Sequence, residues 1–403
     1  MAVLDLDLAA PLAPPCLHND DALARVLVRS RSRPVAWITV PVDAGTCDDA
    51  ALGRALVAAA PALAAGAVRA RQAEKAAVPL PPMSVVICTR DRSDSLARCL
   101  ESIARLDYPV FEVVVVDNAP STDETRRVAA RHRVRYVEEP TPGLDWARNR
   151  GIAESAHELI AFTDDDVRVD PGWLRGLARG FFDDTVGLVT GFVAPGSLAT
   201  RAERLFELSY GGMGKGFAPR TLRPAAMDAF RLIATHHLGV GANMAVRRDA
   251  LARVGGFDTA LDVGTPSHGG GDLDFFHRVL VAGWAVHYEP SAVIWHYHRS
   301  TTAGLRRQMY DNGRAFGAYL LTRFRERRLP RSAVTRYTLH WLLWLLGRIP
   351  RRFLRRERMP IPYLASELWG ALHAPWGYFR SRRRDRELRA RLASDRDGRH
   401  RDA

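Results

Sequence analysis

From Met83 onward, short apolar runs alternate with stretches of helical spacing, which limits this part of the chain to a layered α/β architecture. Residues 84–88 form an apolar strand, after which Leu96, Leu100, Ile103 and Leu106 recur at three- and four-residue intervals, as on an amphipathic helix. Strands are expected at 111–116, 134–137, 159–163 and 186–193, with helices at 122–132, 143–155 and 173–182 between them. Helices near 249–254 and 272–280 and short strands at 285–288 and 292–295 follow. This order predicts a mostly parallel sheet with helices on both faces.

The strand at 159–163 runs into Asp164-Asp165-Asp166. In an open α/β sheet, ligands gather at the carboxyl ends of strands. Three adjacent carboxylates repel one another unless a cation is near, and hard oxygen donors suit Mg²⁺ or Mn²⁺. A solvated acidic turn is the plain alternative. A second glycine-rich loop, Gly269-Gly270-Gly271, opens the helix that carries Asp272 and Asp274.

These segments together resemble family 2 glycosyltransferases of the GT-A fold, nucleotide-diphospho-sugar transferases with a Rossmann-like sheet. The opening strand with Thr89-Arg90-Asp91, the acid-ended strand at Asp117, Gly143-Leu144-Asp145-Trp146-Ala147-Arg148-Asn149-Arg150-Gly151, the D-x-D of Asp164 and Asp166, Gly271-Asp272, and Trp295-His296-Tyr297-His298 stand in the family's order. The similarity runs from about 83 to about 300. It implies that Thr89, Arg90, Asp91 and Asp117 hold the nucleoside, that Arg148 and Asn149 meet donor oxygens, and that Asp164 or Asp165 binds ribose hydroxyls. Asp166, Asp164 and His296 would ligate the metal. Asp272 would be the base, with Gly270, Gly271 and Asp274 on the acceptor side and Asp274 as the alternate base. Gly271 stands where the family usually has Glu. Each residue also has a plain structural role open to it, such as a helix cap for Asp272. One displacement with one base inverts the anomeric centre. Neither Q-x-x-R-W nor several membrane spans are evident, which favours transfer of a single sugar.

Other classes fit less well. The turn after the first strand lacks G-x-G-x-x-G, against a nicotinamide enzyme. Gly212-Met213-Gly214-Lys215 lacks the context of a phosphate loop, and a nucleotidyltransferase would want a glycine-rich start. Cys16, Cys47, Cys88 and Cys99 form no CxxC pair, so no zinc site or disulfide framework is indicated.

Charge adds a partner. The chain carries a net +13, and 323–358 alone holds twelve Arg against two Glu. With Trp341 and Trp344 inside this stretch, the pattern suits an anionic membrane surface. The expected organisation is a small α+β region at 1–80, the catalytic domain at 83–300, a basic Trp-rich helical segment at 301–380 and a disordered charged tail at 381–403. The run 339–346 is too short to span a bilayer and either lies in the interface or packs on the protein. The start of the chain resembles no secretory signal, so a cytoplasmic enzyme on the inner face of the membrane is expected, acting on a lipid-linked or envelope-glycan acceptor. No nucleic-acid partner is expected. The remaining alternative is a basic membrane- or nucleic-acid-binding protein with a degenerate catalytic domain.

Overall fold

The computed structural model describes residues 1–10, 21–43, 46–74 and 79–401. Cys16 and Val78, the first residue of the expected linker, lie outside them. A four-stranded sheet, β1 (Ala2–Asp7), β2 (Leu23–Ser30), β3 (Arg33–Asp43) and β4 (Thr46–Cys47), comes first, followed by α1 (Asp49–Ala58) and α2 (Ala60–Glu74). The alanine-rich stretch at 49–70 breaks into two helices that meet at 73°. Pro61 lacks the N–H that a continuous helix needs and suits the first turn of a new one. This region docks on the large sheet. Arg33 pairs with buried Glu289 at 2.9 Å and Arg29 with Asp170 at 2.8 Å, and Leu27 packs with Phe192, Val293 and Trp295.

The large sheet follows, with β5 (Met83–Thr89), α3 (Ser93–Ile103), β6 (Phe111–Asn118), α4 (Glu124–Ala129), β7 (Arg135–Glu139), α5 (Leu144–Glu154), β8 (Leu159–Asp164), β9 (Val167–Val169), α6 (Trp173–Gly180) and β10 (Val186–Pro195). Then come α7 (Arg201–Arg204), β11 (Arg220–Leu222), α8 (Ala229–Ile233), β12 (Asn243–Arg247), α9 (Arg248–Val254), α10 (Gly271–Val281) and β13 (Ala285–His296). The spatial order is β11-β13-β10-β12-β8-β5-β6-β7, with β9 on β13. β5, β6, β7 and β8 run parallel, so Thr89, Asp117 and Asp164 end on one edge. β12 runs antiparallel to β8, pairing Asn243 with Thr163, which brings the loop before β12 to the same edge.

Both faces are covered, as period-two alternation requires of a doubly buried strand. Val85 and Ile87 face Leu96, Leu100, Trp173 and Leu177 of α3 and α6. Val86 faces Ala147, Phe275, Phe276 and Val279 of α5 and α10. The two strands expected at 285–288 and 292–295 are one strand, β13. Its register against β10 jumps from Glu289 to Val293 over a single step of the partner. Asn243 mends the resulting gap: its amide donates to Phe192 O (2.9 Å) and Ala292 O (2.8 Å) and accepts from Trp173 Nε1 (2.8 Å).

Three long helices close the chain: α11 (Thr302–Glu326), α12 (Arg331–Phe353) and α13 (Ile361–Arg401). The tail expected to be disordered from 381 instead continues α13. Ser381 Oγ accepts from Ser267 N (2.8 Å), Arg382 pairs with Asp258 (2.6 Å), and Asp385 accepts from Thr259 Oγ1, so tertiary bonds order a segment too polar to fold alone. Among the described residues no single helix is long and apolar enough to cross a membrane.

Candidate active site

The three adjacent aspartates point to different partners. Asp165 turns inward, accepting from Thr89 Oγ1 (2.7 Å) and Arg92 Nη1 (2.8 Å). It is buried and ties the loop after β5 to the end of β8. Asp166 takes Arg92 Nη1 at 3.1 Å and faces His296 Nε2 at 3.2 Å. Asp164 lies 3.8 Å from Arg148 Nη2. One donor atom each from Asp164, Asp166 and His296 falls within 4.8 Å of the others. Burial pushes the His296 imidazole down to about 4, so it is neutral and offers a lone pair. Burial, offset by Arg148 and reinforced by Asp166 and Asp165, pushes Asp164 up to about 7. Asp166 Oδ1 and His296 Nδ1 are buried and have no hydrogen-bond partner. A crowded, underneutralised carboxylate pair beside a neutral imidazole fits a divalent cation.

On the other side of this edge, Asp117 is fully buried and accepts from Tyr136 OH at 2.9 Å, while its Oδ1 has no partner. Burial raises its pKa. Asp91, exposed at φ +52°, accepts from Ser121 N and Oγ, both at 2.9 Å, and so pins the loop that follows β6. Arg90 projects to solvent beside it. Arg148 is buried, bonded to Asp145 Oδ1 at 3.1 Å and set over the Phe257 ring. Asn149, expected at the donor, clamps backbone instead. Its amide donates to Phe257 O (2.9 Å) and its carbonyl accepts from Phe257 N (2.7 Å). One residue of rotation along α5 carries it away from Arg148 and off the cavity.

Asp272 lies in the first turn of α10, where its carboxylate accepts from Leu273 N (2.8 Å) and from Gly241 N (3.1 Å). It lines a cavity of about 700 Å³ that also contains Asp164, Arg148 and His296. Gly270 and Gly271 line it too. Asp274, expected on the acceptor side and as the alternate base, is elsewhere. It is fully buried between Arg278 Nε (2.6 Å) and Arg323, and although burial opposes ionisation, Arg323 and Arg278 hold its carboxyl below the ordinary range. Two residues along a helix it faces the α11 side, where it is a structural ion pair.

The departure at Gly271 has a steric cause. A Cβ there would collide with Asp145 Oδ2, so a longer side chain requires the Asp145 carboxyl to move. Asp145 and Asp262 were not foreseen from sequence. The Asp145 N–H donates to Asp262 Oδ2 (2.9 Å), which caps α5, and both carboxyls have one buried oxygen without a partner. Burial and their mutual repulsion raise Asp145 well above the ordinary value, and burial pushes Asp262 up to about 7. Arg92 was also missed, although it directly follows the quoted Thr89-Arg90-Asp91. Asp145 sat inside a quoted motif and Lys215 in the glycine-rich stretch set aside as a phosphate loop, whereas Asp262, His236 and His237 carried no signal.

A profile described as Glycosyl transferase family 2 matches residues 84–255. The pre-mycofactocin glycosyltransferase of Mycobacterium tuberculosis is 27% identical over 269 residues, covering 66% of this chain and 53% of that protein. Glycosyltransferase AglE of Haloferax volcanii is 27% identical over 303 residues, 72% of this chain and 86% of that one. The glucosyl-dolichyl phosphate glucuronosyltransferase of the same organism is 26% identical over 188 residues, 44% and 56%. The chain spans about half the length of the first of these relatives. Among solved structures, the mannosyltransferase PcManGT from Pyrobaculum calidifontis in complex with GDP-Man and Mn²⁺ aligns with a TM-score of 0.49 at 20% identity, covering 81% of this chain and 98% of that one.

Proposed function

Residues 84–255 are a family 2 glycosyltransferase domain on a GT-A sheet, and on that premise we propose that the chain transfers one sugar from a nucleotide-diphosphate donor to a hydroxyl, with inversion. The observation that carries this reading is the single cavity shared by Asp164, Arg148, His296 and Asp272. Asp164, Asp166 and His296 would hold Mg²⁺ or Mn²⁺, which when bound supplies positive charge to the departing diphosphate. Arg148 adds fixed charge on the donor side. Asp117, buried at the end of β6, faces the nucleoside with its unpartnered oxygen. Asp272 takes the proton from the attacking hydroxyl; its two backbone hydrogen bonds hold the carboxylate in place and leave lone pairs for the acceptor. No second carboxylate is assigned as a nucleophile, so a single displacement inverts the centre.

The acceptor is a lipid-linked or envelope-glycan hydroxyl presented at an anionic membrane surface. One relative is named for a dolichyl-phosphate-linked acceptor, and the C-terminal helices expose apolar side chains among arginines. The test is divalent-cation-dependent release of nucleoside diphosphate from a panel of nucleotide sugars. Asp166→Ala should abolish turnover and the cation's effect on donor binding. Asp272→Asn should keep donor affinity while turnover falls at least about a hundredfold. Near wild-type turnover by either variant overturns the corresponding assignment.

A further inference from the structure

Lysine is nearly absent from this chain. Of 58 basic residues only Lys75 and Lys215 are lysines. Lys215 sits in the loop Gly211-Gly212-Met213-Gly214-Lys215-Gly216, where four of six residues are glycine. It lines the same cavity as Asp272, His236 and His237. Its ammonium has no hydrogen-bond or ion-pair partner among the described residues. Burial lowers its pKa, opposed by the charge of Asp272. The residue is half-buried, so an ammonium here, unpaired and facing the cavity, is a place where an anionic ligand can supply the counter-charge.

The surroundings narrow that ligand. His236 is pushed to about 3 by burial and is neutral, and His237 is lowered by the same cause. Arg148, the other cation of the cavity, is already bonded to Asp145. Beyond the histidines the wall is aromatic. Phe230 of α8 packs on Tyr337 of α12 with centroids 4.5 Å apart, and Phe316 of α11 on Trp341 at 5.0 Å. All four rings line the cavity. The ammonium, the aromatic wall and Asp272 therefore line one cavity.

We propose that Lys215 anchors an anion subsite on the acceptor side, holding a phosphate or carboxylate of the acceptor while the wall of Phe230, Phe316, Tyr337 and Trp341 takes its apolar body. The acceptor class is thus an anionic amphiphile, an inference that rests on the glycosyl-transfer reading above. An ammonium offers a compact point charge to either head group.

The test is calorimetric titration of the full chain with octyl phosphate, octanoate, inorganic phosphate and octyl glucoside. Octyl phosphate or octanoate should bind one to one and at least about tenfold more tightly than inorganic phosphate or the neutral glucoside; the preferred head group identifies the anion. Lys215→Gln should weaken the anionic amphiphile at least about tenfold and leave octyl glucoside unchanged. Trp341→Ala should weaken both amphiphiles and spare inorganic phosphate. Donor KM in nucleotide-sugar hydrolysis should be the same for wild type and Lys215→Gln. Equal binding of the anionic amphiphile by wild type and a folded Lys215→Gln, or by Lys215→Arg and Lys215→Gln, overturns the proposal. A rise in donor KM with unchanged amphiphile binding also overturns it, assigning Lys215 to the diphosphate. Failure of the glycosyl-transfer reading is a separate result: wild type would release no nucleoside diphosphate, while the titrations would still be readable.

Discussion

Asp145 and Asp262 show how much of this site depends on single buried carboxyls. Both lie at the start of α5, where the Asp145 N–H donates to Asp262 and Arg148 compensates the Asp145 carboxylate. Both pKa values are raised, so the fully ionised pair is unfavourable in the folded chain and relaxed in the unfolded one. A raised carboxyl contributes stability below the ordinary carboxylate value, and that contribution disappears as pH rises to the folded value, about 7 for Asp262. Stability should therefore decline between about pH 4 and 7, with a slope of at most about 1.4 kcal/mol per pH unit for one proton. Asp262→Asn keeps an oxygen for the α5 amides and removes the charge, so its melting temperature should fall less over that range. Parallel profiles for wild type and variant would show that the pair does not titrate there. The same carboxyl explains Gly271: Asp145 fills the space into which a Glu would project.

The elements differ in how they are joined. The sheet and its helices meet through apolar faces, but α10 and α11 are clasped by Asp274, Arg278 and Arg323, all buried. Removing one partner from such a group strands the others, at about 3–5 kcal/mol. Asp274→Asn should therefore lower the melting temperature markedly and leave turnover per folded molecule near wild type. It should also flatten acid denaturation, because a depressed carboxyl contributes stability above the ordinary carboxylate value that is lost as pH falls through the folded one. An unchanged melting temperature with a hundredfold loss of turnover would return Asp274 to the catalytic site. α11 and α13 meet more closely: a Cβ on Gly370 would collide with the Tyr310 carbonyl oxygen, so the two backbones touch.

At the scale of the whole molecule, the C-terminal helices are part of the folded body. α12 supplies Tyr337 and Trp341 to the cavity wall, and α13 covers α11. Removing them would expose the cavity, so deletion cannot isolate a membrane-binding surface. Their outer faces can be tested directly. Leu339, Leu343 and Leu346 on α12, and Trp369, Leu372, Trp376 and Phe379 on α13, are exposed at helical spacing, and the Arg380 guanidinium lies over Trp376. Replacing Leu343, Trp369 and Trp376 together by Ser should leave the fold intact and abolish sedimentation with anionic liposomes. High salt should release the wild type only partly, because buried tryptophan is not screened. Equal binding by wild type and the triple variant would point to a soluble acceptor.

The amino-acid sequence alone determined what depends on neighbours along the chain. Alternating apolar runs placed the parallel strands, and the acids ending β6 and β8 marked the edge where ligands gather. The spacing also identified Asp272 at a helix start. It could not separate Asp272 from Asp274, because two carboxylates two residues apart look alike until α11 brings Arg323 against one of them. Nor could it separate Arg148 from Asn149, since facing the cavity or facing Phe257 is decided by how α5 packs. Lys215 and Trp341 come from segments with no shared pattern and line one cavity only through the tertiary fold. The helical continuation over 381–389 was likewise decided by tertiary bonds to 258–267. Local periodicity is written in sequence; the orientation of a polar side chain depends on the distant group that compensates its charge.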